Sequence, residues 1–151
     1  MPVTSYHFRA AVMYAIIGML MGITMAARHD FSLMPAHAHL NLLGWVSATL
    51  YGLFLHNHPH AGSRRALITH FGFAHGGVIT MTIGLGLLAH GMPQVGEIFA
   101  FLGGVQSLAG IALFAILVFR GTHLVRSFHS RNNGVDRLRS SRNKPVGLHT
   151  D

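Results

Sequence analysis

The chain has 151 residues, 50% of them hydrophobic and only 10% charged, with 11 Lys/Arg against 4 Asp/Glu and a net charge of +7. A soluble domain of this size would hardly keep such a balance in water, which points to the lipid bilayer as the natural solvent. Cysteine is absent, so disulfides, thiolate metal sites and thiol nucleophiles are excluded, and any metal chemistry must rest on the 13 histidines.

No formally charged residue lies between Arg9 and Arg28, Asp30 and Arg64, Arg65 and Glu97, or Glu97 and Arg120. Each interval holds the roughly 20 apolar positions that a spanning helix needs. These intervals predict an all-α integral membrane four-helix bundle with spans at 8–27, 36–56, 66–91 and 96–119. The first uncharged stretch is longer than the apolar core of a secretory signal, and three more follow it, so it reads as a retained helix. The loops are too short for a separate domain, which makes residues 1–125 one transmembrane unit.

Basic residues set the orientation. Arg9 precedes the first span, Arg64 and Arg65 separate the second from the third, and a basic tail runs from Arg120 through Lys144. The other two loops carry little more than Arg28 with Asp30, and Glu97. Positive loops stay inside, so both termini are expected in the cytoplasm of a bacterial cytoplasmic membrane, with Pro35 and His37 near the outer surface. The tail, 126–151, is rich in Ser, Asn, Arg and Gly and is expected to be disordered. Its charge suits anionic lipid head groups; no aromatic or Gly-rich reading motif accompanies it, so no nucleic-acid partner is expected.

Small residues let membrane helices approach, and Gly18 with Gly22, Gly72 with Gly76, and Gly77 with Gly84 supply such faces, joined by Gly103, Gly104 and Gly110 in the fourth span. Asn41, Thr80, Thr82 and Gln106 are polar groups in apolar surroundings and are expected to face the bundle.

The histidines are not equivalent. His7, His29, His123, His129 and His149 are read as surface or tail residues, and His56, His58 and His60 as a solvated loop at the end of the second span. His37, His39, His70, His75 and His90 fall at membrane depth, where an ionisable side chain marks a functional site by default. A neutral imidazole hydrogen-bonded to a carbonyl or a Thr hydroxyl is the bland alternative for any one of them. His37 and His39 point about 200° apart around a helix, and His70 and His75 about 140° apart, so neither pair grips one ion between its own rings. Measured from Pro35 and Gly91, His39 lies about 6 Å and His75 about 24 Å below the outer boundary, which makes them poor partners within one chain. His39 and His90 share a level.

The stretch Pro35-Ala36-His37-Ala38-His39-Leu40-Asn41-Leu42-Leu43-Gly44-Trp45, continuing into Ala48-Thr49-Leu50-Tyr51-Gly52-Leu53-Phe54, resembles the second helix of catalytic subunits of haem-copper oxidases and nitric oxide reductases. It is still more similar to short four-helix membrane proteins described as oxidase subunit I-like. In the large enzymes three arcs of four helices surround a pseudo-threefold axis, and an H-x-H on a second helix holds two haems. The resemblance implies a b-type haem held by His37 and His39, with Trp45 packing on the porphyrin, in electron transfer or in binding of O2 or NO. It also implies a ring of three copies, in which His39 of one copy meets His37 of the next. The third span has His70 and His75 but no adjacent His-His pair, so a complete haem-copper active site and its oxidoreductase chemistry are not evident. His70 and His75 are expected to form a second metal site or a proton path. Two other classes stay open: a copper or other metal site built from His37, His39 and His90 without haem, and an accessory structural subunit with hydrogen-bonded, empty histidines.

Overall fold

A computed structural model describes residues 3–142, with side-chain surroundings for residues 3–121. The described residues are all helical: α1 (Val3–Arg28), α2 (Met34–His39), a π-helical segment (Leu40–Val46), α3 (Ser47–Asn57), α4 (Arg64–Ala89) and α5 (Pro93–Arg142). α2, the π segment and α3 form one continuous rod, so four stretches are long and apolar enough to cross a membrane: Val3–Arg28, Met34–Asn57, Arg64–Ala89 and Pro93–Gly121. α5 continues beyond the last of these through basic residues to Arg142; of the expected tail, residues 143–151 lie outside those described.

Three of the expected spans fall inside these stretches. The third was expected to reach residue 91 but stops at Ala89, where His90 donates its N–H back to the carbonyls of Gly86 and Leu87 and Gly91 turns to φ +76°. A positive φ is strained for any side chain, so Gly91 is the residue that lets the chain reverse before Pro93 opens α5.

The distribution of polarity is inverted relative to a water-soluble protein. His7 and His70 are 0% exposed, His75 and Ser107 are buried too, while Phe101 is 72% and Leu108 68% exposed. An apolar outside over an interior that carries imidazoles suits hydrocarbon as solvent, because a polar group on the outer face would find no partner there.

α4 and α5 pack as an antiparallel pair along glycines. Gly77 and Gly84 on α4, and Gly96, Gly103 and Gly110 on α5, recur every seven residues and sit against the opposite backbone: a Cβ built on Gly110 would lie 2.9 Å from Ala74 Cα, and one on Gly77 2.6 Å from the Ser107 nitrogen. A seven-residue repeat keeps one face toward its partner along the pair. Thr82 and Gln106 face this interior as expected, and Ser107 joins them, each with a buried hydroxyl or amide oxygen left without a partner.

α1 packs on the second rod in the same manner. Gly18 and Gly22 are the places where the side chains of Asn41 and His37 approach; a Cβ on Gly18 would meet Asn41 Nδ2 at 2.5 Å. Replacing Gly18 with Leu should therefore drive the rod off α1 and expose the Asn41 and His37 side chains, visible as new solvent exchange at these two residues with the other three stretches still protected.

The α1–α2 loop is held by Asp30, whose Oδ1 accepts the Ser32 N–H at 3.0 Å. That bond, with Arg28 and His90 nearby, lowers the Asp30 carboxyl below its ordinary value of 3.8. A carboxylate favoured by the fold holds the loop at neutral pH and releases it as pH falls through the lowered value. Protection of the Ser32 amide, taken relative to its intrinsic exchange rate, should thus be full above the ordinary carboxylate range and be lost as pH falls through the lowered value, and Asp30→Asn should remove this pH dependence.

Candidate functional site

The structure separates the membrane-depth histidines into two levels. From Tyr14 to Gly22 α1 rises about 12 Å, and these two residues mark the levels, the first beside His75 and the second beside His37.

At the level near the α1–α2 loop lie His37 and His39. Their rings diverge as a two-residue separation on a helix requires. His37 turns into the interface with α1, where its Nδ1–H donates to the Gly18 carbonyl at 2.8 Å, and the Asn41 amide donates to the His37 carbonyl at 2.8 Å. His39 is exposed on the opposite side, its Nδ1–H donating to the Pro35 carbonyl at 2.8 Å. A carbonyl only accepts, so both neutral rings carry their proton on Nδ1 and leave the Nε2 lone pair bare. A metal-ligating imidazole typically uses this arrangement, in which a backbone carbonyl fixes the tautomer and the ring orientation. His90 repeats it at 2.8 Å on the Gly86 carbonyl, at the edge of a cleft of about 380 Å³ that also contains Thr24, Arg28 and Asp30.

Below His39 the outward face of the rod continues with Leu42 (62% exposed) and Trp45 (48% exposed), one helical turn apart. Trp45 is thus exposed on the rod, as His39 is. The rod changes pitch here: Leu40–Val46 bonds with π spacing, and the Ser47 hydroxyl donates to the Leu42 carbonyl at 2.9 Å. Such wide turns inside an α-helix recur at functional sites, where they re-aim side chains.

The second level is a buried aromatic and imidazole cluster made by α1, α3, α4 and α5. Tyr14 Oη and His75 Nδ1 are 3.1 Å apart, His75 Nε2 and His7 Nδ1 2.9 Å apart, and His70 Nδ1–H donates to the Gly110 carbonyl at 3.0 Å. Phe71, Tyr51 and Phe114 close the cluster, with Tyr51 edge-on to His70 at 4.8 Å between centroids. Gly44 and Gly52 make room for it: a Cβ on Gly44 would lie 2.9 Å from Tyr14 Cγ, and one on Gly52 3.3 Å from His7 Cβ.

The expected site residues are thus divided. His70 and His75 are brought together, bridged by His7; His37 and His39 share a level but face opposite ways; His90 and Trp45 lie on the surface apart from the buried cluster. Both nitrogens of His75 are engaged by hydrogen bonds, and among the described residues no three His, Asp or Glu side chains converge as a metal cage. His7, read from the sequence as a surface residue, is instead wholly buried, because α1 begins at Val3 and turns His7 inward while Arg9 points out. A signal for it exists in the sequence: His7, Ala11, Tyr14, Gly18 and Met25 recur at three- and four-residue steps or their sums, and this row is the buried face of α1.

The fold and these two levels define an all-helical chain, apolar outside and carrying imidazoles within, built on the plan of a multi-pass membrane protein. Compared with protein-family models, curated proteins and solved structures, the chain matches none.

Proposed function

We propose that this chain is a b-type haem protein of the bacterial cytoplasmic membrane, similar to one arc of a haem-copper oxidase catalytic subunit, serving electron transfer or the binding of O2 or NO. The observation that carries the reading is His39: an imidazole at membrane depth, exposed, held by the Pro35 carbonyl so that a bare Nε2 faces away from its own bundle. Leaving such a group in hydrocarbon is unfavourable unless something occupies it. The donor set fits haem, which takes one or two neutral imidazoles through the nitrogen opposite the anchored one. His39 would hold the haem at the face between neighbouring copies in a homotrimer, with Trp45 a further exposed side chain of the same rod; His37, turned against Gly18 and Gly22 of α1, would position the rod from behind that face. Bound haem would supply a one-electron couple. The chain's own part is to fix two imidazole tautomers through Pro35 and Gly18 and to keep water from the site with the apolar face around Leu42.

A second reading is a copper-binding membrane protein: His37, His39 and His90 each present an Nδ1-anchored ring, and imidazole nitrogens suit copper as well as iron, although the three do not converge within one chain. A reduced-minus-oxidised visible spectrum of the purified full chain separates the two. A sharp α band supports haem; stoichiometric copper without that band supports the second reading; a colourless, metal-free protein from haem-replete cells overturns both and leaves an accessory structural subunit.

A further inference from the structure

We propose that Tyr14, His75 and His7 form a proton relay inside the bundle, with the fixed imidazole of His70 beside its His7 end. The relay is independent of haem and rests only on the helices lying in lipid.

Its polarity follows from which groups can donate. His70 is locked, because the Gly110 carbonyl takes its Nδ1–H and Nε2 must be bare. His7 and His75 have no such lock: their partners are a phenol and each other, and each of these can donate or accept. The row therefore has two complete arrangements. In one, Tyr14 O–H donates to His75 Nδ1, His75 Nε2–H donates to His7 Nδ1, and His7 Nε2 carries a proton. In the other, His7 Nδ1–H donates to His75 Nε2, His75 Nδ1–H donates to Tyr14 Oη, and His7 Nε2 is bare.

One proton passing along the row converts the second arrangement into the first. Delivered by a hydronium at the His7 end, it bonds to His7 Nε2; the His7 Nδ1 proton moves to His75 Nε2; the His75 Nδ1 proton moves to Tyr14 Oη; and the original hydroxyl proton of Tyr14 passes to a water molecule at the other end. One proton enters, one departs, and no electron moves. The same moves in reverse return a proton to the His7 end, so the row is a reversible shuttle for one proton.

The entry end is marked by two unpartnered atoms. His7 Nε2 and His70 Nε2 are both buried without a hydrogen bond, on residues that are 0% exposed, with ring centroids 5.5 Å apart and planes tilted by 33°. Buried polar atoms are nearly always satisfied, so a pair of orphaned imidazole nitrogens in one cluster marks a place where a proton or a bridging water resides. The exit end, Tyr14, lies one helical turn from Gly18, whose carbonyl anchors His37.

The test is nitrogen-15 magic-angle NMR on the full chain, labelled at histidine and embedded in lipid vesicles. The relay predicts His7 and His75 nitrogen shifts averaged between protonated and bare values, with His70 fixed as the Nδ1–H form. Tyr14→Phe should slow the His75 exchange by about a hundredfold, the lower end of what a positioned acid or base contributes. Sharp, unaveraged shifts for His7 and His75 in the native chain would overturn the relay, as would unchanged exchange in Tyr14→Phe. A stoichiometric transition metal that the purified chain retains and His7→Phe loses would also overturn it, by assigning the two bare nitrogens to a metal. None of these outcomes touches the haem spectrum, so failure here and failure of the haem reading are distinguishable.

Discussion

His39→Ala is expected to abolish the haem α band of the reduced-minus-oxidised spectrum, while His75→Ala leaves most of it. The asymmetry follows from the two levels of histidine. His39 has one nitrogen anchored on Pro35 and the other free at an exposed face, whereas His75 has one nitrogen facing Tyr14 and the other facing His7. Removing a first ligand should exceed the roughly 10–100-fold loss in affinity that follows loss of an outer-shell partner. His37→Ala should weaken the band and alter its shape, since the same substitution frees the Gly18 carbonyl and leaves a gap at the α1 interface. Titration of haem into purified variants, followed at the α band, measures each effect. A His39→Ala protein with an unchanged spectrum would remove the ligand assignment.

Gly103→Leu should have the largest effect on stability. Gly103 sits against the backbone of Met81, so even a Cβ has no room there, and the atoms that would have to move are main-chain atoms of α4. Forcing bulk into a packed contact costs about 1–3 kcal/mol when side chains can yield and more when backbone must. Separating α4 from α5 would also pull Gly110 away from His70 and break the bond that fixes that ring. The expected result is loss of the folded monomer in mild detergent, read as a lowered thermal midpoint. Gly72→Leu is the control: nothing lies within 4 Å of a Cβ at Gly72, and its stability should stay within about 0.5 kcal/mol of native, as for surface substitutions, leaving the midpoint nearly unchanged. Equal losses in both variants would show that the glycine row is not what joins these helices.

Gly72 also shows where reading small residues from the sequence fails. Its spacing from Gly76 looks like a packing face, yet it faces open space, while Gly103 and Gly84 carry the contact. Small size permits approach but does not say from which side the partner comes. The histidines divide in the same way. The divergence of His37 and His39 and the separation of His39 from His75 in depth follow from helix pitch and rise alone, and the structure repeats both. His7 was misplaced because Arg9 was taken as the membrane edge, although a helix can turn residues two apart to opposite sides.

The order of residues by itself determined the number of long apolar helices, their approximate ends and the pitch-dependent directions of neighbouring histidines, because these depend on charge spacing and on the geometry of a single helix. Only the packed bundle decided that His7, His70 and His75 share one cavity with Tyr14, and that His39 alone of the H-x-H pair faces outward. Those facts depend on the angle at which each helix is rotated against its neighbours. That rotation is fixed by where glycines admit the opposing backbone, a property of pairs of helices that no one of them carries.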